Sequence, residues 1–99
     1  METFNDIINS DKPVLVDFYA TWCGPCKVMG SVIEELGREL DEKVRILKID
    51  VDKNQAVAVQ YNVQAVPTLV IFKNGKIVWR FAGAMPKLAL LAQIEQFTG

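Results

Sequence analysis

Two cysteines, Cys23 and Cys26, are the residues of this 99-residue chain best suited to chemistry. They stand between a predicted strand and the first turn of a predicted helix. Backbone N–H groups and the helix dipole stabilise a thiolate there, so Cys23 is the expected nucleophile. A spacing of three places Cys26 one turn further on the same side, where it can attack a mixed disulfide formed at Cys23. The pair predicts reversible dithiol–disulfide exchange.

Other interpretations of a C-x-x-C pair are half of a metal site or two thiols of the core. The chain has no histidine and only two cysteines, which is too few ligands for a structural zinc ion within one chain. We therefore expect no metal site. A zinc ion or iron–sulfur cluster shared by two chains stays open as an alternative. The lack of histidine also excludes Ser/His/Asp and Cys/His catalysis.

Asp17 lies six residues before Cys23, in a run of apolar residues typical of a strand buried on both faces. A buried carboxylate has a raised pKa and is often functional. One interpretation pairs Asp17 with Lys48 on the neighbouring strand. The other makes Asp17 the acceptor of the Cys26 proton, directly or through water, because no histidine is present to do so.

Composition limits the partners and the location. Eleven basic and twelve acidic residues, with no block of like charge, give a net charge of -1 and favour neither nucleic acid nor a membrane as a partner. The start of the chain lacks the features of a signal peptide, so we expect a cytoplasmic protein. The longest apolar stretches are too short to span a bilayer. The length predicts one domain, 1–99.

Hydrophobic periodicity predicts a mixed sheet with helices on both faces. Pro67 is compatible with the first residue of a strand, and its cis or trans state is not determined by the sequence. Asn74-Gly75 is the strongest turn signal in the chain. The predicted order is a helix from 3 to about 9, a strand at 14–19, a helix from about 25 to 40, a strand at 44–49, a helix at 54–61, strands at 68–73 and 76–82, and a helix at 86–97.

The chain resembles the thioredoxin family over nearly its whole length. The motifs that carry the resemblance are Trp-Cys-Gly-Pro-Cys-Lys at 22–27, Val-Asp-Phe before it and Val-Pro-Thr at 66–68. The resemblance implies an α/β thioredoxin fold. Cys23 matches the nucleophile, Cys26 the resolving thiol, Asp17 the buried aspartate and Lys48 its lysine partner. Pro67 matches the cis-proline. The family's substrate-binding surface implies an exposed apolar patch here, formed by Trp22, Val51, Ala65, Val66, Gly83 and Ala84. Gly24 and Pro25, between the cysteines, are expected to contact substrate as well.

The resemblance also implies a protein-disulfide reductase without a bound cofactor, re-reduced by a flavin-containing, NADPH-dependent thioredoxin reductase. Gly24-Pro25 favours a reductant over the oxidases and isomerases that share the fold. An alternative is a structural subunit that docks a partner and has incidental redox activity.

Two departures from the family pattern predict local differences. The family's first strand is short or missing here, which leaves about four strands and makes 44–49 an exposed edge. That edge either pairs with a second chain or is shielded by the N-terminal residues, so we expect a monomer or an edge-strand dimer. The family's helix-kinking proline is replaced by Ser31, after Gly30, a pair that can itself bend a helix.

Overall fold

The computed structural model describes residues 1–98. Its elements follow the predicted order, and most boundaries differ from the predicted ones by one or two residues. The elements are α1 (Phe4–Ile8), β1 (Val14–Tyr19), α2 (Gly24–Leu40), a 3-10 turn (Asp41–Lys43), β2 (Arg45–Asp50), α3 (Gln55–Gln60), β3 (Thr68–Lys73), β4 (Lys76–Ala82) and α4 (Lys87–Glu95).

The four strands form one mixed sheet in the order β2-β1-β3-β4. β1 pairs in parallel with β2 and antiparallel with β3, which pairs antiparallel with β4. The crossover from β1 to β2 runs through α2, as a parallel connection requires. The prediction of a mixed sheet with β2 at an edge is confirmed.

Alternation along β1 separates two cores. Leu15 packs with α2 and α4 on one face of the sheet, and Val16 and Phe18 pack with α1 and α3 on the other. Val14 to Phe18 are all fully buried, which explains why both parities of this strand are apolar. Asp17 has the same parity as Leu15 and so lies on the α2 face.

Local sequence signals define the start of α1 and the turn between β3 and β4. Thr3 and Asp6 form a reciprocal capping box at the start of α1. Asn74 and Gly75, with φ values of 54° and 80°, form the β3–β4 turn, where positive φ favours these two residue types.

The sequence of α2 predicts an apolar face and a bend at Ser31. The three-and-four spacing of apolar residues predicts that Val28 shares the buried face of this helix with Met29, Val32, Ile33, Leu36 and Leu40. Val28 is 64% exposed, so that prediction is wrong for Val28. The helix is uninterrupted from Gly24 to Leu40, and the Ser31 hydroxyl donates to the Lys27 carbonyl at 3.5 Å. The bend at Ser31 stays a prediction.

The N-terminal residues approach the exposed edge of the sheet. Within residues 1–98 no strand precedes α1. Glu2 forms a two-pronged ion pair, with distances of 2.6 and 3.0 Å, to Arg45, the first residue of β2. This contact places Glu2 at the start of the edge strand, while pairing of β2 with a second chain stays a prediction. No helix in the described part of the chain combines the length and apolar character needed to cross a membrane.

Candidate active site

The two cysteines lie where β1 gives way to α2, and they are joined by a disulfide with a Cα–Cα distance of 5.3 Å. Cys23 is the N-cap of α2, and its Sγ accepts a hydrogen bond of 3.2 Å from the Cys26 backbone N–H. Pro25 occupies the first turn, where its missing N–H leaves no bond unmade. A thiolate at Cys23 would thus be stabilised by a backbone donor and by the dipole of a 17-residue helix.

Both cysteines are buried, although the residues around them are exposed. Cys23 is 5% and Cys26 4% exposed, whereas Trp22 is 71% exposed. Gly24 and Pro25 are also exposed. A partner must therefore approach closely over this rim to reach Cys23.

The Val66–Pro67 peptide is cis. The Val66 carbonyl oxygen lies 3.7 Å from Cys23 Sγ, so a backbone running past this peptide would meet the reactive sulfur. Pro67 is itself buried, and its carbonyl accepts a hydrogen bond of 2.8 Å from the N–H of Gly83. Gly83 has φ of 118°, a conformation essentially restricted to glycine.

A groove of about 210 Å³ lies beside the disulfide. Trp22, Val51, Ala65 and Val66, four of the predicted surface residues, line it. Gly83 is connected to the same region through its bond to Pro67, and its neighbour Ala84 is exposed. Val63 and Gln64 complete the groove and were not found by sequence reasoning.

Asp52 is a further site residue that sequence reasoning missed. Its Oδ2 accepts a hydrogen bond of 2.9 Å from Trp22 Nε1 across 30 residues of sequence. The bond fixes a large exposed ring at the edge of the groove. An acid two residues after β2 was a visible signal, but its partner is defined only by the tertiary fold.

Asp17 is fully buried, and neither of its carboxylate oxygens has a hydrogen-bond partner among the described residues. Burial raises the pKa of Asp17 to about 6, while the positive charge of Lys48 acts in the opposite direction. Asp17 can therefore exchange a proton near neutral pH, as a base for a thiol must.

Lys48 forms no close ion pair with Asp17, so the first of the two interpretations of Asp17 is wrong. The two residues are register partners on β1 and β2, yet the ammonium group forms its ion pair with Glu34 at 3.6 Å. It also lies 5.7 Å from the centre of the Tyr19 ring. The Lys48 side chain is 38% exposed, and hydration at the surface favours that position over a buried pair.

The residues offer no resident metal site in the part of the chain that the structure describes. No group of three or more His, Cys, Asp or Glu side chains gathers there. The alternative of a cluster shared by two chains concerns only Cys23 and Cys26, which are bonded to each other in this state.

This sheet order, with a disulfide at the N-terminus of the helix that follows β1, defines a dithiol–disulfide exchange protein. The family model described as Thioredoxin matches residues 1–96. The chain belongs to the thioredoxin family, and the dithiol–disulfide redox function expected from the motif is confirmed at that level.

The relatives and solved structures agree with this assignment. Thioredoxin from Haemophilus influenzae is 48% identical over 90 residues, covering 91% of this chain and 84% of that protein. Chloroplastic thioredoxin Y from Oryza sativa subsp. japonica is 48% identical over 94 residues, but the chain spans only 56% of its length. A mutant thioredoxin from Halobacterium salinarum superposes with a TM-score of 0.88 at 42% identity, covering 96% of this chain and 82% of that structure.

Proposed function

We propose that this chain reduces disulfide bonds in other proteins and is itself re-reduced by a thioredoxin reductase. The observation that carries the proposal is the position of Cys23, which caps α2, accepts the Cys26 N–H and lies with its Sγ 3.7 Å from the carbonyl oxygen of Val66, a residue of the groove wall. Such a position favours both a reactive thiolate and contact with an extended polypeptide segment.

In the first step, the Cys23 thiolate attacks one sulfur of the substrate disulfide. A bond forms between Cys23 Sγ and that sulfur, and the substrate's own S–S bond breaks. Its second sulfur leaves as a thiolate. The backbone of Val66, whose carbonyl oxygen lies 3.7 Å from Cys23 Sγ, is placed to pair with the substrate segment during this attack.

In the second step, Asp17 accepts the proton of the Cys26 thiol, directly or through water. The resulting thiolate attacks Cys23 Sγ, the mixed disulfide breaks, and the electron pair leaves with the substrate sulfur. The substrate gains two electrons, and Cys23 and Cys26 end as the disulfide. A buried carboxylate is a suitable base here because its raised pKa brings it closer to that of a thiol.

The reductase that restores the dithiol is proposed to be the flavin-containing, NADPH-dependent enzyme that the family implies. We also propose a cytoplasmic location, since a reductant of this kind needs a reducing compartment to be turned over. Fractionation of cells that express the protein, with immunodetection, tests the location. Recovery in a membrane-enclosed or secreted fraction would contradict it.

Insulin reduction in the presence of NADPH and thioredoxin reductase tests the activity. We expect turnover by the native protein and none by Cys23→Ser. Cys26→Ser should retain the first attack and accumulate a mixed disulfide, which mass spectrometry detects. Partner binding without insulin turnover would contradict the proposal and favour a docking subunit.

Two further measurements test the role of Asp17 as the base and the assignment of the protein as a reductant. Asp17→Asn should slow resolution of the mixed disulfide more than the first attack in single-turnover kinetics, and equal slowing of both steps would argue against its role as base. The potential of the Cys23–Cys26 couple, measured at equilibrium with glutathione, should be that of a reductant. A strongly oxidising potential would overturn the assignment.

A further inference from the structure

A second depression, lined in part by Cys26, shares no lining residue with the substrate groove. It has a volume of about 390 Å³ and opens between the first half of α2 and the edge strand β2. No step of the proposed reaction places substrate there. Its wall includes Tyr19, Cys26, Gly30, Glu34 and Lys48.

The depression lies on the same face of the sheet as the buried carboxylate of Asp17. Asp17 and Lys48 are register partners in parallel strands, so their side chains leave the sheet on the same face, the one covered by α2. The Lys48 ammonium could approach either of two carboxylates, that of Asp17 below or that of Glu34 on α2. It pairs with Glu34 at 3.6 Å and is more than 4 Å from Asp17.

Gly30 is the position where the backbone of α2 leaves room for the Lys48 ammonium. A Cβ atom built on Gly30 would lie 3.2 Å from Lys48 Nζ, closer than ordinary van der Waals contact. The ammonium therefore lies directly against α2, with the Tyr19 ring on its other side at 5.7 Å. Glu34, Gly30 and Tyr19 together define where the charge of Lys48 is held.

The position of that charge matters because it acts directly on Asp17. The titratable groups that line the depression on this face of the sheet are Tyr19 on β1, Lys48 on β2, and Lys27 and Glu34 on α2. Lys48 is the one whose charge acts on the pKa of Asp17. Its β3 register partner is the uncharged Leu69. Since an ammonium stabilises a carboxylate more strongly as it comes closer, its distance determines how good a base Asp17 is.

We propose that Glu34 is a positioning residue that holds the Lys48 ammonium at the mouth of this depression, away from Asp17, and so preserves Asp17 as an acceptor for the Cys26 proton. The proposal extends the function proposed above, because the proton transfer is the one assigned to Asp17 there. Glu34 touches neither the substrate nor the reacting sulfur atoms and acts only through Lys48.

The test is the titration of the Asp17 side-chain carboxyl carbon, followed by 13C NMR in the oxidised protein. Glu34→Gln releases Lys48 toward Asp17, so the titration midpoint of Asp17 should fall by about half a pH unit or more. Glu35→Gln is the matched control, since Glu35 is on the same helix but pairs with Lys87 of α4. The titration midpoint of Asp17 should not move in this variant.

A double-mutant cycle distinguishes positioning from a direct effect of the Glu34 charge. In a Lys48→Met background, Glu34→Gln should leave the Asp17 midpoint unchanged. An equal downward shift with and without Lys48 would overturn the proposal, as would no shift in the native background. Glu34 is mostly exposed, so these variants should fold, and circular dichroism verifies this.

Single-turnover kinetics keep this proposal separate from the proposed function. The pH profile for resolution of the mixed disulfide should move with the NMR midpoint in Glu34→Gln. If the midpoint moves and the kinetic profile does not, the assignment of Asp17 as the base fails, whereas the control of Lys48 by Glu34 stands.

Discussion

Replacing Asp17 with asparagine should change the stability of the oxidised protein by an amount that depends on pH. Asp17 is fully buried without a hydrogen bond, and burial raises its pKa to about 6. In the unfolded chain its pKa should be about 3.9. Asparagine has nearly the same shape and does not titrate, so the difference between the two proteins isolates the ionisation of this one group.

The sign of the effect follows from proton binding. Below about pH 4, Asp17 is protonated in both states and its ionisation has no effect on folding. Between about pH 4 and pH 6, the unfolded chain has lost the proton and the folded one retains it, so stability falls as pH rises. Above pH 6 the loss reaches its full value. A difference of about two pKa units corresponds to about 3 kcal/mol.

Urea unfolding at pH 4 and pH 7.5 measures this effect. About 2 kcal/mol of the total should appear between these two values, as a gain in stability of Asp17→Asn relative to the native protein. The buried amide also lacks a partner, which costs about 1–3 kcal/mol, but that cost is the same at both pH values and cancels. Asp11→Asn, at an exposed position, controls for the loss of one negative charge.

A difference between native and Asp17→Asn proteins that is constant from pH 4 to pH 7.5 would refute this reasoning. It would mean that the carboxylate is ionised in the folded state as readily as in water. A gain for Asp17→Asn at pH 4 that disappears at pH 7.5 would reverse the sign and show that the folded state stabilises the anion.

Three further predictions concern groups around the site. Arg80→Ala removes two hydrogen bonds, of 2.5 and 2.6 Å, to carbonyls at the end of α3 and should lower the unfolding free energy in urea by about 1–2 kcal/mol, whereas no loss would show that water replaces them. Gly83→Ala forces a side chain into φ of 118° and should cost about 1–3 kcal/mol in a thermal melt, an unchanged Tm being the contrary result. Asp52→Ala frees the Trp22 ring, so in a Trp79→Phe background the fluorescence anisotropy should fall and KM for insulin should rise; unchanged anisotropy would contradict the role of this bond.

The sequence was sufficient to predict the elements because their signals are local. β1 is apolar on both parities, the Asn74-Gly75 pair requires a tight turn, and Thr3 with Asp6 caps α1. Each of these depends on residues close together in the chain. Hydrophobic periodicity fails to predict burial where an apolar residue lies on the surface. Val28 has helical spacing but is exposed, since nothing in the described chain covers that side of α2.

The contacts that organise the site were harder to predict because they join distant parts of the chain. The register of β1 and β2 places Lys48 beside Asp17, as expected, yet a residue on α2 decides where its ammonium lies. The bond from Trp22 to Asp52 spans 30 residues. A sequence pattern predicts the strand or helix that carries a charged side chain, but it does not predict which of two neighbouring opposite charges that side chain will pair with.

The position of Asp17, a buried carboxylate that destabilises the folded protein at neutral pH, supports its proposed role as the base for Cys26. A carboxylate that costs about 3 kcal/mol at neutral pH, a large share of the stability of a small domain, would be lost without harm if it served packing alone. Cys23 is different, since the same sulfur that caps α2 is the proposed nucleophile, so its structural and chemical roles agree. Asp17 stabilises nothing around it, and it lies on the face of the sheet that α2 covers, the helix that carries Cys26. That contrast supports the proposals that Asp17 accepts the Cys26 proton and that Glu34 and Lys48 are arranged to keep it basic.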